Sequence, residues 1–427
     1  MRITLPYHRS YIQAEIPDER VLAVLHPEKT QSNAASQVQR VEDALSHPIA
    51  SDPLHVLAEK ASRVLILSSD HTRPVPSKIL MPLLLREIRK GNPHAEITIL
   101  VATGCHRPSK PAELEEKYGA QIAAEERILM HDSTAEEDMT DRGLLPSGGR
   151  LRLNRLVDWA DLVIGEGFIE PHFFAGFSGG RKSVLPGIAS RDTVLHNHCA
   201  AFIANPNART GILLGNPIHE DMVYAAKAAN LGFILNVSLD ENKQITGAWA
   251  GDFLKAHEAG CAFVLHHSKV PPVKGDIIIT SNGGYPLDQN IYQAVKCMTA
   301  AEACVRDHGV IIVSAACHDG HGGDHFFCQS SQLLSPEEIF HRICAIAAEE
   351  TEPDQWQTQI LMRVLSRARV ILVADPFMQE YIEKMHMTYA HSLEDALAIA
   401  ETMMPGGKYV IIPDGVSVIV DSRPNRP

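Results

Sequence analysis

The chain has 427 residues, of which 45% are hydrophobic and 21% charged, and its formal net charge is −13. That length exceeds one ordinary core, so two or three domains are expected, and the globular composition excludes long disorder. The acidic balance, without any Lys/Arg-rich run, excludes the electrostatic footprint of a nucleic-acid binder.

The opening residues, MRITLPYHRSYIQAEIP, lack the apolar core of a secretion signal, and no run approaches the roughly 18 apolar residues of a membrane span. No membrane partner is therefore expected. Eight cysteines stand apart without a C-x-x-C pair, which fits reduced thiols in a cytoplasmic protein. The 22 histidines, several in Gly/Pro-rich loops, point toward metal or proton chemistry.

Residues 1–50 are mixed, with a polar stretch near 31–39. RVLILSS (63–69) reads as a buried parallel strand, 77–90 as a helix, and EITILVA (96–102) as a second strand that runs into the glycine loop TGCHRP. Ser109 is predicted to cap a helix ending near Gly119. ADLVIGEG (160–167) is a further strand, 232–250 a hairpin turning at 240–242, and 253–266 a helix. The Pro-rich segment SKVPPVKGD (268–276) marks the expected boundary. Residues 1–268 then form a larger N-terminal domain and 269–427 a smaller C-terminal domain that closes over the site. In the second, strands at 276–281, 310–316, 370–376 and 409–413 alternate with helices near 289–302, 336–349, 377–385 and 393–403. Such alternation predicts the α/β class, two domains with largely parallel sheets. Ligands of such sheets gather outside the carboxyl ends of the strands, here in the crevice between the domains.

Four constellations carry candidate chemistry. In SSDHTRPVP (68–76), Arg73 offers a planar fork for a carboxylate or phosphate, though an Asp70–Arg73 ion pair in a plain turn explains the same residues. In ATGCHRP (102–108), Gly104 permits a tight turn that aims His106 into the crevice, while Cys105 is read as packing. The richest run is GEGFIEPHFFAGFSGGRKSVLPGIASRDTVLHNH (165–198). Its glycine loop before a basic pair resembles an anion-binding turn, without meeting the spacing of a Walker A loop or a dinucleotide-binding fingerprint. Lys182 follows the glycines directly. Ser190 can cap a helix that bears His196 and His198, which point to different faces, so at most one of them reaches the site. The fourth run, GGYPLDQNIYQAVKCMTAAE (283–302), puts Gln293 and Lys296 on one helix face as a pair suited to a carboxylate, or merely as two solvated residues. Trp356 reads as core by default. The loop HDGHGGDHFF (318–327) is open between a metal site, a lid and a crevice rim.

Taken together, D-x-T-R-P, A-T-G-x-H-R, E-P-H-x-x-x-G-x-S-G-G-R-K, a histidine about sixteen residues on, and Y-Q-x-x-K resemble the nickel-dependent lactate racemase family. The match runs from about residue 60 to Trp356. The resemblance implies a racemase that inverts a lactate-like 2-hydroxy acid by proton-coupled hydride transfer through a 2-keto acid. It implies nickel held in a pincer nucleotide, pyridinium-3-thioamide-5-thiocarboxylic acid mononucleotide, covalently bound to Lys182. By the same carry-over His198 ligates nickel, and His106 and His172 are the acid/base pair. Arg73, Gln293 and Lys296 hold substrate. Asp70, Trp356 and the loop Ser178, Gly179, Gly180 lie on the cofactor, the loop at its phosphate. The enzymes that build the cofactor become functional partners. No role carries over to His196 or the 320–325 loop.

Hydride transfer suits the substrate. Removing the α-proton beside a carboxylate gives an unstable dianion, whereas moving hydrogen as hydride avoids it, and the cofactor carries that step. Within the family, malate, aromatic or sugar acids are alternative substrates. A histidine-site zinc or iron hydrolase or lyase is a rival of another class, although no H-E-x-x-H is present. A non-catalytic binder of a nucleotide or acid would leave two bases and a tethering lysine idle.

Overall fold

The computed structural model describes residues 1–28 and 36–420; most of the polar stretch expected near 31–39 lies outside the described residues. Two six-stranded sheets organise the chain. The first runs in the order Ile245–Gly251, Leu231–Leu239, Leu162–Phe168, Arg63–Ser69, Glu96–Ala102, Arg127–Met130. It is parallel except for its first strand, which pairs antiparallel with its neighbour as the expected hairpin. The apolar run 63–69 is unbroken because both faces of the sheet are covered. Val64 and Ile66 enter one core with Leu80, Met81 and Leu84 of the helix Ser77–Gly91, while Leu65 and Leu67 enter the other with Val184, Leu185 and Met222.

The second sheet is wholly parallel, in the order Thr388–Ala390, Arg369–Val373, Val305–Ser314, Gly275–Ser281, Tyr409–Ile412, Val21–Val24. Its last strand comes from the N-terminus. A hairpin of Arg2–Tyr7 and Ser10–Glu15 covers the same sheet, sharing one core through Ile3, Leu5, Ala14, Ile16, Ile277, Ile279 and Ile312. The first 24 residues thus go with the second sheet, whereas the sequence places them in an N-terminal domain of residues 1–268. The chain crosses between the two halves after Val24 and again beyond the helix Lys255–Ser268.

Several local expectations change. Ser109 is not the cap of the helix Pro111–Tyr118. Lys110 holds that position, its N–H donating to Glu113 Oε2 at 2.7 Å, while Ser109 Oγ bonds His71 Nδ1 at 3.0 Å. The helix expected at 336–349 ends at Cys344, and the strand expected from 310 begins at Val305. The edge strand Arg127–Met130 and the helices Pro217–Ala228 and Gln355–Leu365 were not anticipated. Among the described residues no helix is long and apolar enough to cross a membrane.

Candidate active site

Three loops leave the carboxyl ends of neighbouring strands in the first sheet and converge. Asp70 follows the strand Arg63–Ser69 and is buried. Its Oδ1 accepts from Thr72 N–H (3.0 Å) and Oγ1 (2.6 Å), and its Oδ2 meets His106 Nδ1 at 2.7 Å. Burial alone would raise this carboxyl, but His106, Arg73 and Thr72 outweigh it and hold the group well below the usual carboxylate range. A charged Asp70 keeps the proton on His106 Nδ1, which leaves Nε2 as the basic nitrogen. Gly104 makes this possible with φ +56° and an N–H bond to Gly187 O at 3.0 Å. Arg73 Nη1 donates to Thr72 Oγ1 at 2.9 Å.

The third loop carries His172 and Lys182. Ala175 N–H donates to His172 Nδ1 at 3.3 Å, so the neutral ring bears its hydrogen on Nε2. Burial and the charges of Lys182, Lys296, Arg73 and Arg181 hold this ring neutral. The Lys182 amine lies 5.6 Å from the centroid of the Phe174 ring. Burial and the cations Arg181, Arg73 and Lys296 lower its pKa far below that of an ordinary lysine. Arg181, the first of the basic pair that follows the glycine loop, turns the other way. It is only 1% exposed and donates to Phe177 O (2.8 Å), Ala175 O (2.7 Å) and His219 Nδ1 (3.1 Å), stapling the loop from behind. Neighbouring positions of a 3-10 turn cannot share a face, and that was the available signal.

The glycine loop is likewise held by the fold. Ser178 N–H donates to Glu170 O (2.9 Å), Ser178 Oγ donates to Phe168 O (2.9 Å), and Gly180 N–H donates to Asn236 Oδ1 (2.7 Å). Of the N–H groups expected to cradle a phosphate, those of Ser178 and Gly180 therefore have partners already. Gly179 takes φ +74°, and a Cβ there would stand 2.6 Å from Asn236 Oδ1.

Ser190 caps the helix Arg191–Asn197, accepting from Thr193 N–H at 3.4 Å, and His198 follows as its C-cap. The His198 ring stands edge-on to Phe174 and Trp356, each at 5.0 Å. Burial and Lys182 lower its pKa to about 3, so the ring is neutral and can ligate. His196 packs against Gly149 instead, away from the cleft.

The second half supplies the facing wall. The helix Ile291–Cys304 buries Gln293 and Lys296, and neither Gln293 Oε1 nor Lys296 Nζ has a hydrogen-bond partner. Burial and Arg73 lower Lys296 to about 7, against the opposing pull of Glu170 and Asp70. Trp356 Nε1 donates to Tyr292 Oη at 2.8 Å. Tyr292 lines the cleft beside Gln293, a neighbour to which the sequence reading assigned no role. The cleft has about 1070 Å³ of empty volume, open mouth included, and all twelve candidate site residues line it. No residue of the 318–325 loop does.

A pocket in an acidic protein that gathers Arg73, Lys182 and Lys296 beside the neutral rings of His172 and His198 suits proton transfer on a small organic anion. Comparison with known proteins agrees. Residues 7–211 match the lactate racemase N-terminal domain and residues 270–420 the lactate racemase C-terminal domain. The lactate racemase of Thermoanaerobacterium thermosaccharolyticum is 50% identical over 423 residues, 99% of both chains. The chain belongs to the lactate racemase family. The lactate racemase of Lactiplantibacillus plantarum is also 50% identical, over 98% of this chain and 99% of its own. The solved lactate racemase apoprotein from T. thermosaccharolyticum superposes with a TM-score of 0.93, covering 98% of this chain and 100% of its own. A Thermotoga maritima protein, 19% identical with a TM-score of 0.67 over 90% of this chain and 99% of its own, shares the fold. Membership of the lactate racemase family makes the chain an isomerase, a racemase, acting on a small molecule.

Proposed function

We propose that this racemase interconverts the enantiomers of a short 2-hydroxy acid, lactate foremost, with a nickel-pincer nucleotide joined to Lys182. Two curated lactate racemases at 50% identity over nearly the whole chain support the substrate. The observation that carries the cofactor is the pairing of a buried Lys182 amine, held far below the usual lysine range by burial and neighbouring cations, with a neutral His198 in one cleft. Among the described residues, no three His, Cys, Asp or Glu ligand atoms converge there. A metal ion in this cleft would have to bring most of its ligands with it, as a nickel-pincer nucleotide would, with His198 as its protein ligand. That donor set disfavours a histidine-built zinc or iron hydrolase.

Lys182 would tether the group through its amine, His198 would ligate the nickel, and Phe174 and Trp356 would flank it. When bound, the cofactor supplies the acceptor and donor of hydride. The remaining work falls to side chains of this chain. Arg73 and Lys296 would donate to the substrate carboxylate, and Gln293, whose Oε1 has no hydrogen-bond partner, would accept from the substrate hydroxyl. His106 Nε2 takes the hydroxyl proton, and Asp70 stabilises the resulting imidazolium. Racemisation needs a proton handled for either enantiomer, and His172 would serve the second by giving up its Nδ1 bond to Ala175 N–H, which frees that nitrogen to take the proton. Each positioned base is worth about 10²–10⁴-fold in rate. The burial of these groups keeps water from the keto acid.

The test is intact mass of protein from cells that make the cofactor, joined to chiral analysis of a 2-hydroxy acid panel. We expect a mass adduct mapped to Lys182, nickel in the sample, and racemisation, all lost in Lys182→Ala and in cells lacking the cofactor-building enzymes. Racemisation by unmodified protein would overturn the reading. Zinc without an adduct would favour the hydrolase.

A further inference from the structure

Away from the cleft, two imidazoles and a carboxylate face one another at the joint between the halves. Glu28 lies on the first crossing, just after the strand Val21–Val24, and His266 and His267 end the helix Lys255–Ser268 just before the second. Glu28 Oε2 is 4.0 Å from His266 Nε2 and 3.9 Å from His267 Nδ1, and the three ligand atoms lie within 4.8 Å of one another. Among the described residues this is the one such group of three.

We propose that Glu28, His266 and His267 form a binding site for a divalent transition-metal ion, such as Zn²⁺, that clasps the two crossings together. The spacing is the first argument. Separations of 3.9 and 4.0 Å are too long for hydrogen bonds, so the donors face a gap rather than each other. Tetrahedral zinc with bonds near 2.1 Å sets its ligands about 3.4 Å apart, so closing the gap needs only small side-chain rotations. Glu28 and His266 are exposed and free to make them.

The second argument is that one ligand is already held in place. The His267 ring packs on Phe263, with centroids 4.3 Å apart, and its Nδ1 is buried without a hydrogen-bond partner. An unpartnered buried nitrogen is costly and calls for an occupant. Backbone geometry supplies the third argument: Glu28 N–H donates to His267 O at 2.7 Å, so the two crossings are pinned beside each other before any ion arrives. Two imidazoles and one carboxylate suit Zn²⁺, Ni²⁺ or Cu²⁺ and leave open positions for water. The site is built from the segments that join the two walls of the cleft, so occupancy would fix their relative placement without contact with substrate.

Zinc-soaked crystals of the full chain, measured at the zinc absorption edge, test this directly. We expect an anomalous peak between Glu28 and the two rings. In solution, cofactor-free wild-type protein should bind one more equivalent of Zn²⁺ than the double variant His266→Ala/His267→Ala. Glu28→Gln should weaken that equivalent by about tenfold or more, as expected for a lost ligand. These variants alter side chains at the surface or its edge, and unchanged circular dichroism would confirm their folding. No peak at this position, or equal zinc stoichiometry in wild type and double variant with any zinc confined to His106, His172 and His198, would overturn the proposal.

Discussion

Two residues govern the protonation states on which the cleft depends. Asp70 holds the proton of His106 on Nδ1 across 2.7 Å, so Asp70→Asn should lower kcat by about 10²-fold or more with little change in fold. The same carboxylate has a pH signature. Its native pKa lies below the unfolded value of about 3.9, so its stabilisation is present above that pH and is lost as pH falls through the native value. Urea midpoints of wild type and Asp70→Asn should therefore differ at pH 7 and converge on acidification. Lys182 behaves oppositely. Its native pKa is depressed, so folding carries a penalty at every pH below the unfolded value of about 10.4. Lys182→Met in cofactor-free protein should melt higher than wild type at pH 7, and the gain should fade as pH approaches 10.5. An equal gain at both pH values would show that the amine is not buried uncharged.

At the scale of elements, the short helix Arg191–Asn197 and the turn Gly180–Ser183 aim the two groups assigned to the cofactor. A Cβ on Gly180 would stand 2.7 Å from the His257 ring, at φ +51°. Gly180→Ala should cost about 1–3 kcal/mol in denaturant unfolding and reduce the fraction of Lys182 modified. An unchanged modified fraction would show that the loop does not position the lysine. Elements differed in how plainly they could be read. The strands Arg63–Ser69 and Glu96–Ala102 were legible to the residue, because burial on two faces writes an unbroken apolar run. The strands Val21–Val24 and Arg127–Met130 were not, because they are short edge strands of four residues each and partly exposed. The cap at 110 was missed because Ser109 Oγ is drawn to His71 Nδ1, and Glu113 instead ties the helix start by accepting from Lys110 N–H.

For the whole molecule, the N-terminal residues decide the integrity of the second half. Ile3, Leu5, Ala14 and Ile16 are buried against its sheet, and Val21–Val24 closes its edge. Deleting residues 1–24 should expose Ile277, Ile279 and an open strand edge, and should abolish soluble expression. A soluble, cooperatively melting truncated protein would contradict this placement.

Residue type and order along the chain by themselves determined the two largely parallel sheets, the family and twelve residues that line the cleft. Alternating strands and helices, and motif spacing, are properties of neighbouring residues, and neighbours are what a sequence records. Only the tertiary structure decided what each group does there. Asp70 backs an imidazole, Arg181 staples the loop that Lys182 leaves, two N–H groups of the glycine turn serve the fold, and Glu28 meets two histidines far along the chain. Those outcomes depend on which donor finds which acceptor across the packed interior, and such pairings join residues that no local pattern relates.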